Sequence, residues 1–269
     1  MTQELNSRSG TAAVALLDAL GTRNLSIQES RRFVKRIKAL RAEAQKDTLA
    51  YLQVMLEEKS LSEAIVRLFK EELPELILFG DTILILWPLP NVKNKTPFLI
   101  PFAQLLSSLF VEAMDQRLLL RGAMSIGEFV KSENVVVGPA ITDAASWYEM
   151  VEWAGIICTP YCSQFVYDLQ CQIGNEAAKL TKFMRNSFSA TFQEYDVPLK
   201  GGATQNLWCV NWPSIVRAFE PHRRDPIGWY YRSVQRFPVP KGTEAKHTHT
   251  RSFFLFSLQR MKQIYPEAS

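Results

Sequence analysis

Leu76-Ile77-Leu78-Phe79-Gly80-Asp81-Thr82-Ile83-Leu84-Ile85-Leu86-Trp87 is the stretch on which the fold turns. Two apolar runs of strand length flank a Gly-Asp pair, which is the pattern of a β-hairpin. The turn sets one carboxylate, Asp81, at the edge of an otherwise apolar sheet. Two partners are open to it. One is a backbone N–H of the turn itself, since Asp is a common turn residue. The other is a divalent cation shared with a second carboxylate.

A candidate for that second carboxylate lies upstream. Residues 12–20, A-A-V-A-L-L-D-A-L, form a continuous apolar run interrupted by Asp18 and followed by Gly21. Such a run predicts a buried central strand. An acid inside it is costly unless it is paired or bound to a cation. If the two segments are neighbours, Asp18 and Asp81 reach the same edge, where two carboxylates repel unless something neutralises them. Mg²⁺ takes a couple of carboxylates and leaves positions for water and substrate phosphates.

The rest of the chain frames these strands. Ser26 and Glu29 make a capping box, and Phe33, Ile37, Leu40 and Ala44 mark the buried stripe of the helix that follows. A second short helix is predicted around residues 60–69, ended by Pro74. After the hairpin and a proline-rich loop, residues 102–113 carry the spacing of an amphipathic helix packed on the sheet. Residues 118–127 and 135–137 read as paired strands. Gly138-Pro139 opens a helix, with Pro in its first turn. Residues 155–159 read as a strand, 163–184 as helix, and 199–202 with 207–210 as a terminal hairpin. Residues 252–265 read as a closing helix. Residues 1–11 are polar and are expected to fray.

Composition sets the outer limits. The 269 residues are 47% hydrophobic and 22% charged, an ordinary globular balance that can bury a sizeable core. The net charge of +4 is too small to argue for nucleic acid. Basic residues crowd the C-terminal fifth, including Arg232, Arg236, Lys241, Lys246 and Arg251; they read as a solvated face or as a phosphate- or partner-binding patch. His247-x-His249 is a weak metal pattern that requires a strand. Cys158, Cys162, Cys171 and Cys209 show no metal-site spacing, and no run reaches membrane-span length. A reducing cytoplasm with free thiols is the expected setting.

In this order the motifs resemble the class III nucleotide cyclases. The residues that carry the likeness are Asp18-Ala19-Leu20-Gly21, Gly80-Asp81, the stretch Arg121 to Gly127, the helix opening at Gly138, Gly155 to Thr159, and Leu199-Lys200-Gly201. The resemblance spans residues 12–213, with 214–269 as a helical, basic extension packed on the same domain. It implies an α/β sandwich with a ferredoxin-like βαββαβ core, mainly antiparallel, with flanking helices. It also implies Mg²⁺ or Mn²⁺ held by Asp18, Asp81 and the carbonyl of Ala19. A nucleoside triphosphate would be contacted by the backbone from Leu20 through Gly21 and Thr22 and by Lys200. A homodimer, and the chemistry of a lyase that forms a cyclic nucleotide, belong to the same implication.

Departures from the family pattern are concentrated in one helix. The transition-state Asn and Arg positions, four apart, are Thr142 and Ser146 here. Neither hydroxyl replaces a guanidinium in stabilising charge on phosphorus. The base-selecting positions are Ile77 and Val135. Another cation, with Arg23 and Arg121 foremost, could substitute for the lost Arg. Three readings are therefore open: a divergent cyclase, a cyclase-like module that binds nucleotide without efficient chemistry, and a scaffold whose two acids are turn residues.

Overall fold

The computed structural model describes residues 7–20, 26–57, 67, 73–90, 98–133, 135–175, 182–218, 224–237, 239 and 241–264. The chain runs β1 (Ser7–Leu20), α1 (Ile27–Glu57), β2 (Glu75–Phe79), β3 (Thr82–Pro88), α2 (Leu99–Asp115) and β4 (Leu119–Ser132). Then come β5 (Val135–Val137), α3 (Pro139–Tyr148), β6 (Ile156–Cys158), α4 (Pro160–Asn175), α5 (Lys182–Thr191), β7 (Phe192–Pro198) and β8 (Thr204–Val210). Helices α6 (Trp212–Ala218), α7 (Pro226–Val234) and α8 (Glu244–Ile264) follow. The loop after Leu20, the predicted helix around 60–69 and most of the proline-rich loop lie outside the described residues.

One sheet organises the molecule. Its strand order is β2-β3-β1-β4-β6-β8-β7, with β5 against β4. Only the β4–β6 pairing is parallel among these strands. The first six elements form a βαββαβ unit with order β2-β3-β1-β4, the ferredoxin-like arrangement expected from the sequence. The fold class is α/β, with a mainly antiparallel sheet and flanking helices.

Several local predictions hold for visible reasons. Ser26 caps α1: its backbone N–H donates to Glu29 Oε2 at 2.8 Å, and its hydroxyl accepts from the Glu29 N–H at 3.3 Å. Phe33, Ile37 and Leu40 are buried as the stripe requires; the Ala44 side chain is outside the described set. Gly138 opens α3 at φ 141°, where a Cβ would stand 2.5 Å from the Glu128 carbonyl oxygen. Only glycine meets both conditions.

Other boundaries move. β1 begins at Ser7 rather than Ala12, because residues 7–11 pair with Glu128–Ser132 of a β4 longer than its apolar run. Residues 7–11 are thus strand, not frayed chain. The terminal hairpin is β7 and β8, and Leu199 to Gly202 is its turn, with Gly201 and Gly202 both at positive φ. Helix α2 is buried almost all round rather than on one stripe. Its second side is covered from the C-terminal region: Trp212 stacks on Phe110 at 4.5 Å, and Trp229 donates its indole N–H to Asp115 at 2.9 Å.

The sheet has two unequal cores. The larger lies against α1, α2 and the C-terminal helices. The smaller holds Ala12, Val14, Leu16, Leu84, Leu86 and Phe129 under Ala140 and Ala144 of α3. That second face positions the site.

Candidate functional site

Strand register builds the site. In β1 the residues Ala12, Val14 and Leu16 face α3, so Asp18, two further on, shares their face at the strand's end. Asp18 pairs with Thr82 of β3 on one side and with Arg121 of β4 on the other. Thr82, Asp18 and Arg121 thus form a row across three strands. Asp81 is one residue beyond that row, and its carbonyl oxygen accepts the Ala19 N–H at 3.1 Å. The backbones of the two acids' segments are adjacent, as the hairpin reading requires.

The row is closed by an ion pair. Arg121 Nη2 donates to Asp18 Oδ2 at 2.7 Å, and the Arg121 side chain is only 6% exposed against 17% for Asp18. Its second terminal nitrogen reaches the Glu149 carbonyl oxygen at 3.5 Å. Its Nε–H is buried without an acceptor among the described residues.

The C-terminal end of α3 hangs over the row. The Tyr148 hydroxyl donates to Glu149 Oε1 at 3.0 Å, and Thr82 is hydrogen-bonded to the same phenol. Burial, then the Glu149 hydrogen bond and the charges of Glu149 and Asp18, push the Tyr148 phenol above its ordinary value. The phenol is a neutral donor at physiological pH. Beyond Glu149, the Met150 carbonyl accepts the Lys200 backbone N–H at 2.8 Å, and the Pro198 carbonyl accepts from Glu152 at 2.9 Å. The β7–β8 turn is therefore fastened to the same end of the sheet, and Lys200 is exposed there.

Helix α3 is anchored by a half-buried acid. Asp143 accepts hydrogen bonds from the hydroxyls of Ser125, at 2.6 Å, and Thr159, both fully buried. Thr159 in turn accepts the Cys162 N–H at 3.1 Å at the start of α4. One carboxylate ties α3, β4, β6 and α4 together.

The residues singled out from sequence fall into groups. Asp18, Ala19, Asp81 and Arg121 come together, Leu20 ends the same strand, and Lys200 stands on the adjoining turn. Thr142 and Ser146 share an exposed face of α3, and the Ser146 hydroxyl donates back to the Thr142 carbonyl at 2.8 Å. Gly21, Thr22 and Arg23 lie outside the described residues. Sequence reading passed over Thr82 and Tyr148 as site residues. Strand pairing was the signal for Thr82, since the residue after a hairpin Asp stands opposite the other acid once register is drawn.

Among the described residues no three His, Cys, Asp or Glu groups converge as metal ligands. Asp18 Oδ2 is already held by the Arg121 guanidinium at 2.7 Å. The donor set does not fit a two-metal centre. The His247-x-His249 pattern lies on α8, not on a strand, and residues two apart on a helix diverge. His249 Nδ1 is instead 3.0 Å from the Glu152 carbonyl oxygen.

The basic C-terminal residues are partly engaged. Arg232 pairs with Asp225 at 3.1 Å, Lys246 with Glu152 at 3.7 Å, and Arg251 lies 5.5 Å over the Tyr231 ring. Among the described residues no helix is long and apolar enough to cross a membrane.

No family model matches the chain, and no curated protein matches it. Solved structures do. The adenylyl cyclase CyaB from P. aeruginosa aligns at 9% identity and a TM-score of 0.43, over 77% of this chain and 96% of that one. The catalytic core of a rhodopsin-guanylyl cyclase with converted specificity, in complex with ATPalphaS, aligns at 14% and 0.38, over 76% and 97%. An adenylate/guanylate cyclase/hydrolase from Silicibacter pomeroyi aligns at 15% and 0.39, over 76% and 98%.

Proposed function

We propose that this chain is a cyclase-like module that binds a nucleoside triphosphate at the Asp18 end of its sheet and does not cyclise it efficiently. The observation that carries this reading is the arrangement of that end. The row Thr82–Asp18–Arg121 lies under Tyr148 and Glu149, with Lys200 on the turn beside it. An exposed lysine and the backbone following Leu20, with Gly21 and Thr22, are assigned to the phosphates. The Tyr148 phenol, a neutral donor, suits a ribose hydroxyl or phosphate oxygen.

Weak chemistry follows from α3. Phosphoryl transfer needs positive charge on the equatorial oxygens, and Thr142 and Ser146 supply none. Arg121, the cation nearest to hand, is buried and held by Asp18, which speaks against its acting on a substrate from the catalytic position. A homodimer forms part of the proposal, with Leu78 and Phe79 exposed at the end of edge strand β2 as candidate contacts.

The test is equilibrium binding of each of the four ribonucleoside triphosphates, with chromatography of the reaction mixtures. Saturable binding of at least one, weakened by Lys200→Ala, with at most trace cyclic product, is the expected result. Absence of binding for all four, or rapid Asp18-dependent formation of a cyclic nucleotide, overturns the reading.

A further inference from the structure

We propose that Arg121 is a built-in counter-cation, occupying at Asp18 the electrostatic role that a divalent ion would otherwise take, so that the site excludes divalent cations. The inference goes beyond nucleotide binding and does not depend on it.

The argument begins from position. Asp18 and Arg121 are direct cross-strand partners, so their side chains leave the sheet on one face, a few ångströms apart. The guanidinium reaches one carboxylate oxygen at 2.7 Å with both groups largely out of water. A charge-assisted contact at that distance is among the stronger polar interactions a side chain makes. A divalent ion coordinating Asp18 would have to displace the guanidinium from the oxygen or stand beside it. Displacement strands a side chain that is 6% exposed, whose other contacts are one carbonyl at 3.5 Å and a buried Nε–H with no acceptor among the described residues. Coexistence sets a double positive charge beside a single one where little water screens them. Both routes raise the free energy of the metal-bound state.

The arrangement also explains how a carboxylate is tolerated at the end of a strand whose preceding residues are buried. Asp18 needs a cation, and the chain supplies one three strands' width from the hairpin edge. Arg121 is a specificity-determining residue in this sense: it sets which cation the acid accepts. Removing it should uncover a metal site, because Asp18 and the Ala19–Asp81 backbone contact stay where strand pairing holds them.

The experiment uses Mn²⁺ alone, without nucleotide, titrated into the full chain and followed by calorimetry and by the paramagnetic resonance of free Mn²⁺. Wild type is expected to bind no tighter than the millimolar range. Arg121→Met is expected to bind at least tenfold more tightly, a difference of about 1.4 kcal/mol, and Arg121→Lys to behave as wild type. The gain should vanish in Asp18→Asn/Arg121→Met. Micromolar binding by wild type that is lost in Asp18→Asn overturns the proposal, and this needs no Arg121 variant to fold. Unchanged Mn²⁺ affinity in a folded Arg121→Met overturns it as well. Failure of nucleotide binding leaves these outcomes untouched, so the two readings fall separately.

Discussion

Removing Asp18 tests the site through stability. In Asp18→Ala the Arg121 guanidinium loses the acceptor at 2.7 Å and keeps one carbonyl at 3.5 Å. Breaking a buried pair by deleting one partner costs about 3–5 kcal/mol, because the remaining charge is uncompensated. The Asp18 side chain is 17% exposed, so water reaches the gap and the lower end applies, about 3 kcal/mol. At about 2.1 cal/mol/K per residue, the 269-residue chain unfolds with an entropy of roughly 0.56 kcal/mol/K. The melting temperature should therefore fall by about 5 °C. Circular dichroism melts and urea titrations of Asp18→Ala, Arg121→Met and the double variant provide the assay. The double variant should be less destabilised than the two single losses added together, by at least about 1.5 kcal/mol. The sequence, read without Arg121 in place, leads to the opposite sign: two repelling carboxylates, with stability gained when one is removed. An Asp18→Ala protein that melts within 1 °C of wild type, or above it, refutes the ion-pair account.

Three further outcomes follow from the structure. Gly138→Ala forces a Cβ into a positive φ and to within 2.5 Å of the Glu128 carbonyl oxygen; a loss of about 2–3 kcal/mol is expected, and an unchanged urea midpoint contradicts it. Asp143→Ala leaves the buried Ser125 and Thr159 hydroxyls without their acceptor and should cost about 2 kcal/mol, whereas Asp168→Ala, at an exposed i, i+4 pair with Gln164, should be near neutral. Alkaline pH should destabilise the fold. Burial raises the Tyr148, Tyr195 and Tyr230 phenols and the Cys209 thiol, and Cys162 is raised by its contact with Cys158 and by burial. The unfolded chain sheds these protons first, so the folded state binds more of them and stability falls as pH rises. It should be full below about pH 8 and decline through the ordinary thiol and phenol ranges near 8.5 and 10; a urea midpoint flat from pH 7.5 to 10.5 contradicts this.

Much of the central unit was legible because its signals are local. The Gly80-Asp81 hairpin, the Ser26–Glu29 cap and the Gly138-Pro139 helix start each depend on residues within a few positions of one another. The parts that escaped depend on distant pairing. Strand β7 reads F-Q-E-Y-D-V-P, with no run to announce it, and exists because it pairs with β8. The full burial of α2 is set by aromatic residues more than a hundred positions downstream, Trp212 and Trp229. The site shows the same division. Asp18 and Asp81 were visible as acids in apolar surroundings, and Arg121 as a nearby cation. That Arg121 is the partner of Asp18 follows only from the β1–β4 register, across 103 residues of sequence. Ser146 stands at an informative position, yet its hydroxyl turns back to its own helix, an orientation no spacing reveals.

The most direct measurement is a crystal of the full chain soaked with Mn²⁺ and a non-hydrolysable nucleoside triphosphate, with data collected at the manganese absorption edge. The expected result is triphosphate density at the sheet end bounded by Asp18, Tyr148 and Lys200, the Arg121–Asp18 pair intact, and no anomalous peak within bonding distance of Asp18. Two anomalous peaks bridging Asp18 and Asp81, with Arg121 swung away, would contradict the account and return the site to two-metal cyclase chemistry.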